Sequence, residues 1–363
     1  MSRSAEIKKT SYVGIGANVL LAAFKAAVGM AAGSIAIILD AVNNVTDALS
    51  SGITILGVTL GGRKPDAKHP FGYGRIEYLC AIVISALVLF AGISSVVEAA
   101  KSIADPQPAQ YSVAAVVIIV TAVAAKIVLG LYVKKKGTSL DSDALVASGT
   151  EALGDAALSA STLLAVIASA FWGISIEGYI GVVISAIIIK AGVELMLASL
   201  SHVIGKRAQG QIAADIKKEI MTVDGVLGAY DLVLHDYGPS SAMGTVHIEV
   251  ADDTPAPMIH KLTKRVQKAV FKRFNIVLTV GIYAVNNTDP AVLEMKSFVN
   301  DAALAIPGVH QMHGFVMDGN EIGFDIVVDF DCDTVQAKEQ LTKNIHSRIP
   351  DARVYITIDK NYS

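Results

Sequence analysis

Two pairs of residues in this chain have the types and the spacing to hold a cation: Asn43 with Asp47, and Glu151 with Asp155. Residues i and i+4 of an α-helix lie one above the other on the same face. Each pair is therefore a two-ligand edge, and together they offer four oxygens, three of them on carboxylates. That set suits a divalent cation. Both pairs sit inside long apolar stretches, where an ionisable residue costs about 2.5–3.5 kcal/mol on insertion scales and is a functional candidate by default. At about 1.5 Å rise per residue, the first pair lies roughly 13–20 Å into its stretch and the second about 10–17 Å in from the other side. The two edges can then meet near the middle of a membrane. A competing reading neutralises the acids with Lys25 or Lys126 as buried ion pairs, and Asp40 is assigned to that structural role. Glu194 pairs with Lys190 or reaches out toward the cytoplasm.

The elements that must position these residues are apolar helices. A membrane-spanning helix needs about 20 mostly apolar residues, and six segments qualify: Tyr12–Ala32, Ser34–Leu60, Glu77–Lys101, Ser112–Val133, Ala144–Trp172 and Glu177–Ser201. Lys134-Lys135-Lys136-Gly137 reads as the break after the fourth. The basic residues Arg3, Lys8, Lys9, Arg63, Lys64, Lys68, Arg75, Lys134, Lys135, Lys136, Lys206 and Arg207 flank alternate ends of the spans. Basic residues concentrate on the cytoplasmic side, so both termini are expected in the cytoplasm and the chain in the plasma (inner) membrane. Small residues around the acids, Gly149 and Gly154 among them, fit closely approaching membrane helices.

Composition agrees. The chain is 53% apolar and 17% charged, against about 45–50% and about 25% for soluble proteins. Residues 1–205 hold 27 charged side chains and the shorter remainder holds 36, so a lipid-embedded block is followed by a soluble one. A net charge of −3 without a basic cluster gives no argument for nucleic acid. Cys80 and Cys332 are too few for a disulfide scaffold. No nucleophile–base pair, phosphate loop or HExxH stretch appears, so no enzyme and no prosthetic group is expected.

Beyond Ile204 the periodicity changes to short helices and alternating strands. Helix Ala208–Thr222, strands Asp231–Leu234 and Thr245–Val250, helix Met258–Arg273 and strand Ile276–Val285 form one set. Helix Val292–Ala305, strands Phe315–Met317 and Phe324–Phe330, helix Val335–Arg348 and strand Arg353–Asp359 form another. Asp224-Gly225-Val226 is echoed by Pro307-Gly308-Val309, and Leu262-Thr263-Lys264 by Leu341-Thr342-Lys343. The expected fold is a membrane all-α bundle of six transmembrane helices followed by an α+β, ferredoxin-like cytoplasmic domain in two tandem αββαβ copies. The boundaries are a cytoplasmic tail at 1–10, the bundle at 11–205, one copy at 206–287 and the second at 288–363.

From about Ser11 to Val285 the chain resembles the cation diffusion facilitator family, the proton-coupled exporters of divalent metals. The resemblance rests on Gly33-Ser34 leading into Asp40-Ala41-Val42-Asn43 and Asp47, on Glu151 with Asp155, and on the loop from Pro65 to Glu77, which carries Phe71-Gly72-Tyr73-Gly74-Arg75-Ile76-Glu77. His235-Asp236-Tyr237-Gly238-Pro239 and Val246-His247-Ile248-Glu249-Val250 are similar to the family's cytoplasmic domain. The resemblance implies a transport site at Asn43, Asp47, Glu151 and Asp155, and a homodimer joined through the cytoplasmic domains. Zinc-transporting members usually place histidine or aspartate first in each pair. Here no histidine is present, and an all-oxygen set favours a hard ion, so manganese is expected first, with iron(II), magnesium and zinc open. The resemblance also implies secondary metal positions at Asp66 and His69 in the loop, with Tyr73 replacing a histidine, and at His235, His247 and His260 in the soluble domain, where Tyr230 and Tyr283 replace ligands found in some members. The Asp329-Asp331-Asp333 cluster with Cys332 reads as a solvated strand end. Function is expected to be metal export in exchange for protons. A channel without proton coupling and a membrane-anchored metal sensor are the rival classes.

Overall fold

The computed structural model describes residues 2–32, 35–105, 113–172, 177–207, 210–239 and 241–361; side chains are described there except at 29, 31, 32, 35–40, 42, 113–115, 161, 162, 165–172 and 177. The chain divides into two compact units, 1–206 with 237–241, and 207–236 with 242–363.

The first unit is helical: α1 Arg3–Ala32, α2 Ile35–Gly61, α3 Ile76–Ala104, α4 Val113–Ser139, α5 Asp143–Trp172 and α6 Glu177–Ile204. Among the described residues, four stretches are long and apolar enough to cross a membrane: Arg3–Val28, Ile76–Ala104, Val116–Ser139 and Gly178–Ile204. The other two helices, α2 and α5, carry the acidic pairs and include side chains outside the described set. Helix α1 packs on α2, α4 on α5 and α3 on α6.

Two expectations need correction. The leading tail is not a separate segment, since α1 begins at Arg3. Ile7 is fully buried with Val58, Leu129, Val133 and Leu145, and Arg3 donates to Glu77 at 2.8 Å and to the Leu140 carbonyl at 2.6 Å, so packing fixes the first two turns. Nor do Lys134–Gly137 break α4, which runs to Ser139. A Cβ at Gly137 would lie 2.7 Å from the Val146 backbone nitrogen; the glycine serves the close α4–α5 crossing. At Gly149 a Cβ would lie 2.6 Å from the Lys134 backbone nitrogen, the same close approach one step further along the pair.

The second unit begins with α7 Gly210–Ile220, β1 Gly228–Asp236, β2 Ala242–Ala251, α8 Ala256–Phe274 and β3 Ile276–Val285; α9 Pro290–Leu304, β4 Val309–Asp318, β5 Glu321–Val328, α10 Thr334–His346 and β6 Arg353–Lys360 follow. Each half has the order αββαβ and one three-stranded sheet, with an antiparallel first pairing and a parallel second. Helices cover one face of each sheet. Ile216, Ile220, Val246, Ile248 and Val266 fill the first core, and Val299, Phe315, Phe324, Ile326 and Leu341 fill the second. Strand β4 starts six residues before the expected Phe315. Gly314, at φ +61°, lies in a register shift between His313 and Val316 that interrupts the alternation a strand is read by. A Cβ on Gly314 would approach the Tyr283 ring of the first half to 3.0 Å, so the two halves meet closely there.

Candidate functional site

Helix α2 brings Asp47 and helix α5 brings Glu151 and Asp155 to one buried region. Asp47 is 6% exposed and Glu151 7%. The group between them is the Lys126 ammonium of α4, which donates to Asp47 Oδ2 at 2.8 Å and to Asp155 Oδ2 at 2.6 Å. Lys126 is itself 3% exposed. Ser50, one turn beyond Asp47, donates from Oγ to Glu151 Oε1 at 3.2 Å, while Glu151 Oε2 is buried without a hydrogen-bond partner. Local helical periodicity explains this convergence. Asp47, Ser50 and Thr54 are buried on α2, three or four residues apart as one face requires.

The fourth residue of the expected set stands apart, since Asn43 is exposed. The side chain of Asp40 lies outside the described residues. Among the described residues the trio of Asp47, Glu151 and Asp155 is not drawn within 4.8 Å as a closed ligand cluster; the Lys126 ammonium bridges two of the three. Sequence had offered Lys126 as one of two neutralising partners, beside Lys25. Its selection depends on the α4–α5 crossing that Gly137 and Gly149 permit. Two carboxylates from different helices on one buried cation can exchange that cation for another, which is the elementary step a cation carrier needs.

The loop positions are engaged locally. Asp66 Oδ1 accepts from the backbone nitrogens of Lys68 and His69 at 2.9 and 2.8 Å, and Oδ2 accepts from Tyr73 Oη at 2.6 Å. His69 Nδ1 lies 2.8 Å from the same phenol oxygen. The Tyr73 hydrogen bond, aided by those backbone donors, holds the Asp66 carboxyl below the usual carboxylate range, and Asp66 in turn raises the phenol. The turn is closed by its own residues.

In the soluble unit His235 and His260 are exposed. His247 Nδ1 is 3.1 Å from Asp231 Oδ2. None of the three belongs to the one cluster of four close ligand groups found among the described residues, Asp231, His313, Asp325 and Asp359. Sequence reasoning passed over this cluster. The available signal was strand parity: Asp325 alternates with the buried Phe324 and Ile326, which aims it away from the core of its own half. Asp333, by contrast, is a helix cap that accepts from the Val335 and Gln336 backbone nitrogens at 3.1 Å, and Asp329 meets His310 at 2.7 Å.

Comparison with known proteins fits this architecture. The profile of the cation efflux transmembrane domain matches residues 11–203, and that of the cation efflux protein cytoplasmic domain matches residues 208–282. An uncharacterized transporter of Methanocaldococcus jannaschii is 24% identical over 271 residues, covering 75% of this chain and 95% of the relative. The manganese efflux system protein MneS of Bacillus subtilis is 25% identical over 261 residues, covering 71% and 88%. Metal tolerance protein 2 of Oryza sativa is 28% identical over 297 residues, covering 75% and 76%. With apolar helices, buried acids on two of them and a transmembrane-domain profile over more than half of its length, the chain belongs to the cation diffusion facilitator family of metal-efflux transporters.

Proposed function

We propose that this protein exports manganese(II) in exchange for protons through Asn43, Asp47, Glu151 and Asp155. The observation that carries the reading is the Lys126 ammonium held by Asp47 and Asp155: it marks a buried position where these helices hold positive charge. A divalent ion takes that position as Lys126 withdraws. Glu151 Oε2, without a partner, supplies a third donor, and Asn43 a neutral oxygen once its exposed amide turns inward. Carboxylate and carbonyl donors suit Mn²⁺ and Mg²⁺ better than zinc, and MneS, which aligns with most of this chain, is named for manganese efflux. Crowded carboxylates repel one another, so either a metal ion or protons must compensate them; rocking of the helices between the two sides then couples outward metal to inward protons.

The lysine asymmetry supports cytoplasmic termini in the plasma membrane, and the cytoplasmic-domain match supports a homodimer. We read 206–287 and 288–363 as two copies of one module. The Lys126 contacts also favour a second reading, in which the triad is a structural lock and no metal passes there. Vesicles with the reconstituted protein and a proton-sensitive dye separate the two. Asp155→Asn abolishes Mn²⁺-driven proton flux under the transport reading, by at least about 100-fold, the loss that removing one charged partner of about 3 kcal/mol brings. Normal flux in a folded Asp155→Asn protein would sink the site.

A further inference from the structure

We infer that the soluble unit carries a first-row divalent metal site built from Asp231, His313, Asp325 and Asp359, joining the two αββαβ halves of a single chain. The inference is independent of the transport reading. Asp231 comes from β1 of the first half; His313, Asp325 and Asp359 come from β4, β5 and β6 of the second, beyond the residues that the cytoplasmic-domain profile covers. One ligand atom from each lies within 4.8 Å of all the others. Trans ligands around a metal at about 2.1 Å stand about 4.2 Å apart, so a small contraction closes the shell.

The cluster is more than a patch of acids. His313 is fully buried, and its Nε2 lies 3.0 Å from Asp231 and 3.7 Å from Asp359 Oδ2. Its Nδ1 is buried with no hydrogen-bond partner, and three carboxylates converge beside the ring. Asp231 divides its work between two oxygens. Oδ2 receives Tyr283 Oη at 2.8 Å and faces His247 Nδ1 at 3.1 Å and His313 Nε2 at 3.0 Å. Oδ1 is buried with no aligned donor, although it faces the His313 ring at 3.0 Å. The Tyr283 phenol has one hydrogen yet touches two carboxylates, Asp231 and, at 2.6 Å, Asp325 Oδ2. One of those oxygen–oxygen contacts needs a further positive charge, a proton or a cation bound beside it.

The nearby Lys360 ammonium is turned to the Asp329 and Phe330 carbonyls at 3.0 and 3.4 Å. A cavity of about 240 Å³ lined by Asp231, Asp359, Lys217, His310 and Lys360 reaches the cluster and gives an ion a path. One imidazole with three carboxylates suits manganese, iron(II), cobalt or zinc, and the nitrogen disfavours calcium and magnesium. Tyr283 and His247 hold Asp231 from behind, as outer-shell groups orient ligands in metal sites.

The test uses the full-length protein in detergent with Mn²⁺ as probe. Bound ions per chain are counted by equilibrium dialysis, and pulsed EPR reads ¹⁴N coupling, which the all-oxygen transport set cannot give. The expected result is one Mn²⁺ with imidazole coupling, lost in His313→Gln and in the Asp325→Asn, Asp359→Asn double variant, and kept in Asp47→Asn. Absence of ¹⁴N-coupled Mn²⁺ in the unmodified protein, or coupling that survives His313→Gln, overturns the site. Should His313→Gln fail to fold, the double variant at the two partly exposed aspartates decides, and an unchanged ion count overturns the site. Because Asp47→Asn touches only the transport position, lost transport beside an intact ¹⁴N signal marks the two readings as separate.

Discussion

Replacing Lys126 by methionine keeps the side-chain length and removes the charge. In the unmodified protein the ammonium donates to Asp47 at 2.8 Å and Asp155 at 2.6 Å, with all three side chains no more than 13% exposed. Removing one member of such a buried group costs about 3–5 kcal/mol, because the remaining charges lose compensation. Metal-free Lys126→Met should therefore unfold at a markedly lower temperature. A divalent ion at the same position restores compensation, so Mn²⁺ should recover most of that loss. Binding should also tighten. In the unmodified protein the ion must first break two charge-assisted hydrogen bonds, each worth about 1.5–3 kcal/mol net. Taking the lower value for each gives about 3 kcal/mol, roughly 100-fold in affinity. The assay is thermal unfolding of the full-length protein with and without Mn²⁺, together with the part of Mn²⁺ binding that Asp155→Asn removes. Destabilisation by Lys126→Met that Mn²⁺ does not repair, with no gain in affinity, would refute the exchange of ammonium for metal and leave the triad a structural lock.

Three further outcomes are expected. Asp155→Asn abolishes Mn²⁺-driven proton flux in vesicles while the protein still folds. Gly149→Val forces a branched side chain against the Lys134 backbone, where even a Cβ would stand at 2.6 Å; overpacking of this kind costs about 1–3 kcal/mol, read as a lower unfolding temperature of the helical unit. Asp333→Ala removes the cap that serves Val335 and Gln336, and the unfolding transition of the soluble unit should fall by about 1 kcal/mol.

How far sequence reaches is clearest at single residues. Glu151 and Asp155 were legible because few charges occur in the apolar segments and because four residues make about one helical turn. The αββαβ order of both halves was legible in the alternation of strands such as Thr245–Val250. The partner of Asp47 was not, since Lys126 lies 79 residues away and Lys25 had the same credentials on paper. Asn43 shares a nominal face with Asp47, yet which part of α2 is covered depends on how α1, α3 and α5 pack against it. The first turns of α1 read as a polar tail because their charges are visible in sequence and the pocket that buries Ile7 is not.

By itself, then, the sequence determined the local periodicities: long apolar helices, two acidic edges at i and i+4, and a soluble tail of paired strands and helices. Tertiary structure alone decided which charges compensate which. Asp231 and His313 are 82 residues apart and sit on different sheets, and no spacing rule connects them. Electrostatic compensation in a low-dielectric interior depends on distances of a few ångströms, and those distances exist only once the helices have crossed and the two halves of the soluble unit have met.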